Sequence, residues 1–339
     1  MNCNKIGLSK NDYKGAESTL CTGCGHDSVT NHLISALFQL DINPHQLIKI
    51  SGIGCSSKTP TYFSNASFGF NSIHGRMAPL ATGAGVANRQ LKVVGISGDG
   101  DTASIGIGGF AHLIRRNIPM VYIVENNGVY GLTKGQFSAT ADLETKGKHG
   151  EKNVFENIDL CSLAIELGCG FVARSFSGNA KELVPLIEAA FKHNGTAFID
   201  VISPCVTFAN HDGSTKSYNS LKETLESLHT IDFVPEYDEI HTDPNETGQQ
   251  IITLHDGSHL ILHPIDAQTH NVNDRFSAIE KLTTAREEHK VLTGLFYLNE
   301  NKPNLMKSLE LVETPLTQIQ ESDLRITQNQ LDEIIQDFL

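Results

Sequence analysis

The sequence predicts an α/β protein with a doubly wound, mostly parallel sheet, and three observations support this fold class. First, two short apolar runs, residues 93–96 and 120–124, have the composition of strands buried on both faces. Second, the segment between these runs carries apolar residues at helical spacing, as a crossover helix does. Third, helical and strand patterns continue to alternate from residue 158 to residue 202. Such alternation is typical of a parallel sheet covered by helices on both faces.

The elements before and after this central unit follow the same scheme. Asp27 suits the first turn of a helix whose apolar face includes Val29, Leu33, Ala36, Leu37 and Leu40. A strand over 47–51 and an Ala- and Gly-rich helix over 77–88 come next. After the central unit, the polar residues 137–157 predict a surface loop. The remaining predicted elements are a helix over 158–168, a strand over 170–174, a helix over 179–193 and a strand over 197–202.

A change of composition near residue 216 suggests a division of the chain into two domains. Residues 1–215 hold the alternating pattern, and residues 216–339 form a C-terminal α+β extension without a catalytic motif. The elements predicted for the extension are a helix over 216–229, a β-hairpin on the Asp256-Gly257 turn, helices over 274–291 and about 321–339, and a strand near 294–298.

Composition and charge exclude several classes of protein. The 339 residues carry a net charge of −13, which argues against nucleic acid as a partner. No apolar run approaches the roughly 20 residues that span a bilayer, and the first residues lack the apolar segment of a signal peptide. We therefore expect a cytoplasmic protein without membrane contact. Seven cysteines, an odd number, make a disulfide framework unlikely in that compartment.

Polar side chains follow both strands of the central unit. Asp99 lies in the Gly98-Asp99-Gly100-Asp101 turn after the first strand, and Asn127 follows the second strand, 28 residues later. Ligands bind at the carboxyl ends of strands in open parallel sheets. Carboxylate and amide oxygens suit Mg²⁺ that also binds phosphate oxygens, and glycines allow close approach of backbone amides. The pair therefore predicts a metal–diphosphate site, although an isolated Asp-Gly pair is most often only a turn.

Four of the cysteines also lie where ligands are expected. Cys21 and Cys24 precede a helix, whereas Cys55 and Cys205 each follow a predicted strand. The Cys-x-x-Cys pair alone is compatible with a redox pair, half of a zinc site or part of an iron–sulfur site. No second Cys-x-x-Cys follows to complete a zinc site, and the histidines of the C-terminal segment are expected at the surface or in turns rather than as metal ligands. Two other cysteines lie in an apolar helical setting and are expected to pack in the core, namely Cys161 and Cys169.

Together these segments identify a family. The sequences GDGD and ENNGVYGLTKGQ, with CTGCGH, GIGCSSKTP and SPC, resemble motifs of the β subunits of 2-oxoacid:ferredoxin oxidoreductases over about residues 15–215. Thr22 stands where the family usually has proline. The resemblance implies a thiamine-diphosphate-binding fold and one [4Fe–4S] cluster on the four cysteines, Cys21, Cys24, Cys55 and Cys205. It implies Mg²⁺ bound by the side chains of Asp99 and Asn127 and by the Val129 carbonyl.

The resemblance also implies the residues around the cofactor and the substrate. Gly100, Asp101, Gly131 and Leu132 would line the diphosphate, and Ile53, Gly54, Cys55 and Ser56 would touch the cofactor. His74 is a further cofactor-binding candidate, with a purely structural role as the alternative. Lys58, with Leu132 beside it, would bind the second carboxylate of the substrate, because burying an unpaired carboxylate is costly.

The implied activity is the oxidative decarboxylation of 2-oxoglutarate with coenzyme A, which yields succinyl-coenzyme A and CO₂. Electrons would leave singly through the cluster to ferredoxin. An α subunit carrying the pyrimidine-binding domain would complete the site in a heterodimer or heterotetramer, with residues 216–339 packing on that partner. Pyruvate or a broad range of 2-oxoacids is the nearer alternative, and a non-catalytic iron–sulfur or zinc-binding electron carrier is the remote one.

Overall fold

The computed structural model describes residues 3–147, 149–211, 213–240, 248–265 and 270–338. Its strands are β1 (Leu47–Ser51), β2 (Phe68–Asn71), β3 (Lys92–Gly98), β4 (Met120–Asn126), β5 (Val129–Tyr130), β6 (Gln136–Phe137), β7 (Phe171–Phe176), β8 (Thr196–Ile202), β9 (Leu225–Ser227), β10 (His229–Val234), β11 (Gln250–Thr253), β12 (His259–Pro264) and β13 (Val291–Leu298). Its α-helices are α1 (Gly25–Gln39), α2 (Met77–Ala87), α3 (Ile107–Arg116), α4 (Leu160–Glu166), α5 (Ala180–Lys192), α6 (Tyr218–Thr224), α7 (Arg275–Glu287), α8 (Leu305–Ser308), α9 (Glu321–Leu324) and α10 (Gln328–Gln336).

A mostly parallel sheet forms the centre of the molecule. In the described residues it has eight strands in the order β2-β1-β3-β4-β8-β7-β13-β9. The pairs from β2 to β7 are parallel, β13 runs antiparallel to β7, and β9 pairs parallel with β13. Antiparallel β10, β12 and β11 form a separate small sheet, and β5 pairs with β6. The predicted doubly wound α/β fold with an α+β extension is confirmed.

Helices cover both faces of this sheet. The apolar side chains of α1 and α5 belong to one core, and those of α2, α3, α4 and α7 belong to the other. Strand β4 shows why its run is apolar throughout: Val121 and Ile123 point into the first core, whereas Met120, Tyr122 and Val124 point into the second. Successive side chains of a strand face opposite sides, so a strand covered on both faces needs apolar residues at every position.

The crossover between β3 and β4 differs from the single helix that was expected. A π-helical turn, Gly100–Ile105, precedes α3, and the Gly106 amide donates to the Asp101 carbonyl oxygen at 2.8 Å. A side chain at Gly106 would bring a Cβ to 2.6 Å from that oxygen, which explains the glycine. Such π-turns are frequent at functional sites, and this one follows directly after Asp99.

The C-terminal extension contributes to the central sheet. Where a helix over 216–229 was expected, α6 ends at Thr224, and β9 then pairs with Val291–Thr293 of β13. Residues 225–227 are strand because this long-range pairing satisfies their backbone groups. The two predicted parts therefore share one sheet. Their division at residue 215 stays a prediction.

The end of the chain is helical but makes little contact with the rest of the protein. Two short helices, α9 and α10, replace the one helix expected there, and neither contains a buried residue. Like every other helix in the described ranges, α10 lacks the combination of length and apolar character needed to cross a bilayer.

Candidate active site

A cavity lies at the carboxyl ends of β1, β3 and β4. Twelve residues predicted to hold the cofactor and its metal line it: Ile53, Gly54, Cys55, Ser56, His74, Asp99, Gly100, Asp101, Asn127, Val129, Gly131 and Leu132. They come from four separate segments of the chain. The position of the cavity agrees with the rule that open parallel sheets bind ligands beyond the carboxyl ends of their strands.

A larger cavity lies at the opposite edge of the sheet. Its described lining contains Arg89, Lys92 and two histidines but neither a carboxylate nor a cysteine. The predicted carboxylate and thiol ligands therefore all lie away from this larger cavity.

Asp99 is one of the buried carboxyl groups that line this cavity, with 1% of its surface exposed. Its Oδ2 accepts hydrogen bonds from the Gly128 amide at 3.0 Å, from the Thr140 hydroxyl at 2.7 Å and from the Ser138 hydroxyl. Within the described residues, Oδ1 has only a long contact of 3.5 Å with the Asn127 amide. Burial raises the pKa of Asp99, and the two hydroxyl donors oppose that rise. The arrangement thus leaves one carboxylate oxygen available to a cation.

Asn127 and Val129 form a tight turn opposite Asp99. The Asn127 side-chain oxygen accepts from the Val129 amide at 3.0 Å, and Gly128 between them has φ of +77°. Glycine adopts this left-handed conformation without the steric cost that other residues carry. An amide oxygen has a second lone pair, so Asn127 can still act as a neutral ligand.

Asp101 has a structural task that the sequence did not reveal. Its Oδ1 accepts from the Gly75 amide at 2.7 Å and the Ile53 amide at 3.2 Å, and also contacts His74 Nδ1. Its Oδ2 accepts from the Ser97 hydroxyl at 2.8 Å. Asp101 therefore joins β3 to the loops that follow β1 and β2. The proposed contact of Asp101 with a diphosphate stays a prediction, as does a cofactor contact of His74.

The glycines of the cavity have tight surroundings. A Cβ added to Gly100 would lie 2.5 Å from the Tyr130 ring, whose hydroxyl donates to the Gly100 carbonyl oxygen at 2.9 Å. Tyr130 was not among the predicted site residues, although it lies within the ENNGVYGLTKGQ segment. A Cβ added to Gly131 would lie 3.4 Å from Cys55 Sγ and 3.8 Å from Cys205 Sγ. Gly131 therefore brings the backbone of the cofactor loop directly against two of the four predicted cluster ligands.

The four predicted cluster cysteines gather at this edge of the sheet. Burial raises the pKa of Cys24 to about 12 and also raises that of Cys55, and the nearby Cys205 thiol contributes to both shifts. Cys21 adds to the shift at Cys55. Cys24, Cys55 and Cys205 are half-buried and Cys21 is exposed. Four neighbouring thiols are the ligand set that an iron–sulfur cluster uses. In the described residues, however, no group of three or more His, Cys, Asp or Glu side chains is arranged as a metal site.

Cys161 and Cys169 are buried in the hydrophobic core, as predicted. Cys161 Sγ donates to the Ala173 carbonyl oxygen at 3.6 Å, and Cys169 Sγ contacts the Phe171 and Thr196 carbonyl oxygens at 3.3 and 3.2 Å. Both side chains are fully buried.

Sequence reasoning missed a buried acid and base behind the cavity. Glu125 is completely buried and accepts from the Thr59 hydroxyl at 2.9 Å. His26 Nδ1 lies 3.5 Å from Glu125 Oε2 and 2.6 Å from Ser203 Oγ. Burial raises the pKa of Glu125 well above its usual value and lowers that of His26 to about 4, so burial favours the neutral form of each group. His26 follows Cys24 by two residues, and Glu125 precedes Asn127 by two residues. This proximity to predicted ligands was the sequence signal that could have identified both residues.

The predicted substrate residues occupy different environments. Leu132 lines the cavity and is 52% exposed. Lys58, in the 3₁₀ helix Ser56–Thr61, is absent from the cavity's described lining, and its Nζ donates to the Thr19 hydroxyl at 3.3 Å. The role of Lys58 in the substrate pocket stays a prediction.

Comparison with known proteins assigns this geometry to a family. Residues 52–201 match the thiamine pyrophosphate enzyme family, C-terminal TPP binding domain. The 2-oxoacid:ferredoxin oxidoreductase subunit beta of Saccharolobus solfataricus is 39% identical over 232 residues, which are 68% of this chain and 74% of that protein. The 2-oxoglutarate synthase subunit KorB of Methanocaldococcus jannaschii is 40% identical over 189 residues, or 56% of this chain and 69% of that protein.

A solved structure is similar over almost the whole chain. It is the 2-oxoglutarate:ferredoxin oxidoreductase from Magnetococcus marinus with 2-oxoglutarate, coenzyme A and succinyl-CoA bound. The TM-score is 0.74 at 29% identity, and the match covers 96% of each chain. The chain carries a thiamine-diphosphate-binding domain, and it belongs to the family of β subunits of 2-oxoacid:ferredoxin oxidoreductases.

Proposed function

We propose that this chain is the β subunit of a 2-oxoglutarate:ferredoxin oxidoreductase that forms succinyl-coenzyme A and CO₂ and passes electrons through a [4Fe–4S] cluster to ferredoxin. The observation that carries the proposal is the single cavity lined by residues of four separate motif segments. Because the family consists of oxidoreductase subunits, a non-catalytic electron carrier is no longer a candidate.

The metal part of the proposal rests on oxygen donors. Asp99 Oδ1, the Asn127 side-chain oxygen and the Val129 carbonyl would hold Mg²⁺, with phosphate oxygens as further ligands. Support comes from the buried Asp99 carboxylate, whose Oδ1 lacks a strong protein donor among the described residues. A buried anion is costly unless a cation compensates it. The backbone of Gly100 and Gly131 would lie next to the diphosphate.

Thiamine diphosphate, when bound, supplies the carbanion stabilisation that decarboxylation of a 2-oxoacid requires. The chain's own residues bind and orient it. Ile53, Gly54 and Ser56 would form one wall of the site, with Asp101 and His74 joining the loops behind them. Glu125 and His26 close the floor of the cavity, where burial favours the neutral form of each group.

The cluster part of the proposal rests on the four cysteines. Cys21, Cys24, Cys55 and Cys205 would hold one [4Fe–4S] cluster through thiolates. Support comes from Gly131, which lies against Cys55 and Cys205 and also lines the cofactor cavity. A cluster here would be adjacent to the reacting centre and could accept electrons one at a time.

The partner is the α subunit, which the β-subunit family implies. We propose that it supplies the pyrimidine-binding domain and most of the coenzyme A site in a heterodimer or heterotetramer. Apolar side chains beside the cavity are exposed in this chain: Ile73 by 81%, Ile105 by 45% and Leu132 by 52%. Ile105 packs against Gly75, directly after His74, so this apolar surface is continuous with the cavity. Residues 216–339 would extend the contact.

The choice of 2-oxoglutarate rests on Lys58 and on the named relatives. A cation beside the pocket would pair with the second carboxylate of the substrate, and Leu132 would shape the pocket at the cavity. Two similar proteins are named for 2-oxoglutarate. Others carry the broader name 2-oxoacid:ferredoxin oxidoreductase, which favours a broad-range enzyme as the second candidate.

Turnover by the anaerobically purified complex of both subunits tests the proposal. We expect coenzyme-A-dependent reduction of ferredoxin with 2-oxoglutarate at a kcat/KM at least tenfold above that with pyruvate. We expect no turnover by this chain without its α subunit. Equal rates with both substrates would favour the broad-range enzyme, and activity of the isolated chain would refute the shared active site.

A further inference from the structure

The two oxygens of Asp99 have unequal surroundings. Oδ2 accepts three hydrogen bonds, from the Gly128 amide and the Ser138 and Thr140 hydroxyls, whereas Oδ1 has one contact at 3.5 Å among the described residues. We propose that Ser138 and Thr140 are positioning residues that hold Oδ2 so that Oδ1 faces the metal. This inference rests on the proposed Mg²⁺ site at Asp99. It means that the loop carrying Ser138 and Thr140 orients the Asp99 carboxylate.

The two hydroxyls are built into the fold. Ser138 and Thr140 are 6% and 1% exposed, and their oxygens lie 3.0 Å apart. The Thr140 amide donates to the Ser138 hydroxyl at 3.2 Å, and the Ser138 amide donates to the Gly128 carbonyl oxygen at 3.1 Å. The loop after β6 is therefore folded back onto the turn that carries Asn127, and both hydroxyls reach Asp99 from that loop.

Thr140 also connects Asp99 to a buried polar network beneath the sheet edge. Its hydroxyl shares its hydrogen between Asp99 Oδ2 at 2.7 Å and the Asn126 side-chain oxygen at 2.9 Å. Asn126 donates to Asp200 at 3.0 Å, and Arg174 donates to Asp200 at 2.8 Å. Because its amide nitrogen bonds Asp200, Asn126 must present its oxygen to Thr140. The network thus determines where the Thr140 hydroxyl lies.

A fixed carboxylate matters for this metal. The terminal torsion of aspartate is broad, so an unsupported carboxylate rotates easily. Mg²⁺ requires nearly ideal octahedral geometry, and removing outer partners of a metal ligand typically lowers metal affinity by about 10–100-fold. Thr140→Val removes the hydroxyl with little change in shape, whereas Thr140→Ser keeps it.

The experiment measures cofactor binding rather than turnover. The complex of both subunits, freed of Mg²⁺ and thiamine diphosphate, is dialysed against radiolabelled thiamine diphosphate over a series of Mg²⁺ concentrations. We expect Thr140→Val to raise the half-saturating Mg²⁺ concentration by about 10-fold or more, and Thr140→Ser to stay within about threefold of wild type. Thr283→Val, the same change at an exposed threonine on α7, is the matched control and should leave binding unchanged.

Each outcome is decisive. An unchanged half-saturating Mg²⁺ concentration in Thr140→Val overturns the positioning role, and so does a rise in Thr140→Ser equal to that in Thr140→Val. If Thr140→Val does not assemble, Ser138→Ala is measured in the same way, and unchanged binding there overturns the inference. Wild-type complex that binds thiamine diphosphate without any Mg²⁺ dependence refutes the proposed metal site instead, so the two failures are distinguishable.

Discussion

The Asp99→Asn substitution tests the metal site with almost no change of shape. Asparagine can keep the three hydrogen bonds now made to Oδ2 only by placing its oxygen there. Its NH₂ group then occupies the Oδ1 position and faces the metal. An NH₂ group donates hydrogen bonds and cannot act as a ligand. We therefore expect the variant to fold and assemble but to bind Mg²⁺ poorly.

The size of the effect follows from the hydrogen bonds. Turning the amide so that its oxygen faces Mg²⁺ sacrifices three of them, each worth about 0.5–1.5 kcal/mol, or roughly 1.5–4.5 kcal/mol together. That amounts to about tenfold to a thousandfold in Mg²⁺ affinity. The missing negative charge adds to this loss. We expect at least a hundredfold rise in the half-saturating Mg²⁺ concentration for thiamine diphosphate binding.

Equilibrium dialysis of the assembled complex measures this change, and thermal unfolding without cofactor shows whether the fold is intact. Asp232→Asn, at an exposed aspartate on β10, controls for the loss of one negative charge and should behave as wild type. Asp99→Asn with wild-type Mg²⁺ dependence would refute the assignment of Asp99 as a ligand.

Three further predictions concern the cluster, the substrate and pH. Serine at Cys21, Cys24, Cys55 or Cys205 should abolish or damage the iron–sulfur absorption of anaerobic protein, whereas Cys161→Ser and Cys169→Ser should retain it; stoichiometric zinc without iron would contradict the cluster. Lys58→Ala should raise KM for 2-oxoglutarate about tenfold or more but change KM for pyruvate little, because a charge-assisted hydrogen bond contributes roughly 1.5–3 kcal/mol; equal effects would count against the dicarboxylate pocket. Burial raises the pKa of Glu188 to about 8, so the folded state keeps a proton that the unfolded state loses above its usual pKa of 4.5, and stability falls as pH rises through this window. Glu188→Gln should therefore raise the free energy of unfolding relative to wild type at pH 9 but not at pH 4, by on the order of several kcal/mol, and Tm should rise with it. The same difference in Tm between variant and wild type at both pH values would show that Glu188 does not titrate in this way.

Much of the fold and of the cavity lining was predictable from local sequence. The runs that became β3 and β4 are apolar at every position because both faces of the sheet are covered. The Gly-Asp-Gly turn and the Asn127-Gly128 turn follow those strands directly, so their convergence at one edge follows from the parallel arrangement. The buried, structural character of Cys161 and Cys169 was likewise apparent from their apolar helical surroundings.

The sequence did not indicate how these segments join to each other. Asp101 contacts His74 across 27 residues, Thr59 bonds Glu125 across 66, and His26 bonds Ser203 across 177. The same limit applies to β9, which is a strand because it pairs with β13, and to α10, whose amphipathic pattern makes no core contact in the described residues.

The sequence by itself determined the fold class, the family and twelve of the residues that line the cofactor cavity, because these depend on short-range patterns and on motif spacing. Tertiary structure alone decided which oxygen of Asp99 is free, which donors hold the other oxygen, and that Glu125 and His26 are buried together. Hydrogen-bond partners and local dielectric depend on atoms brought together from distant parts of the chain. No periodicity in the sequence encodes their distances.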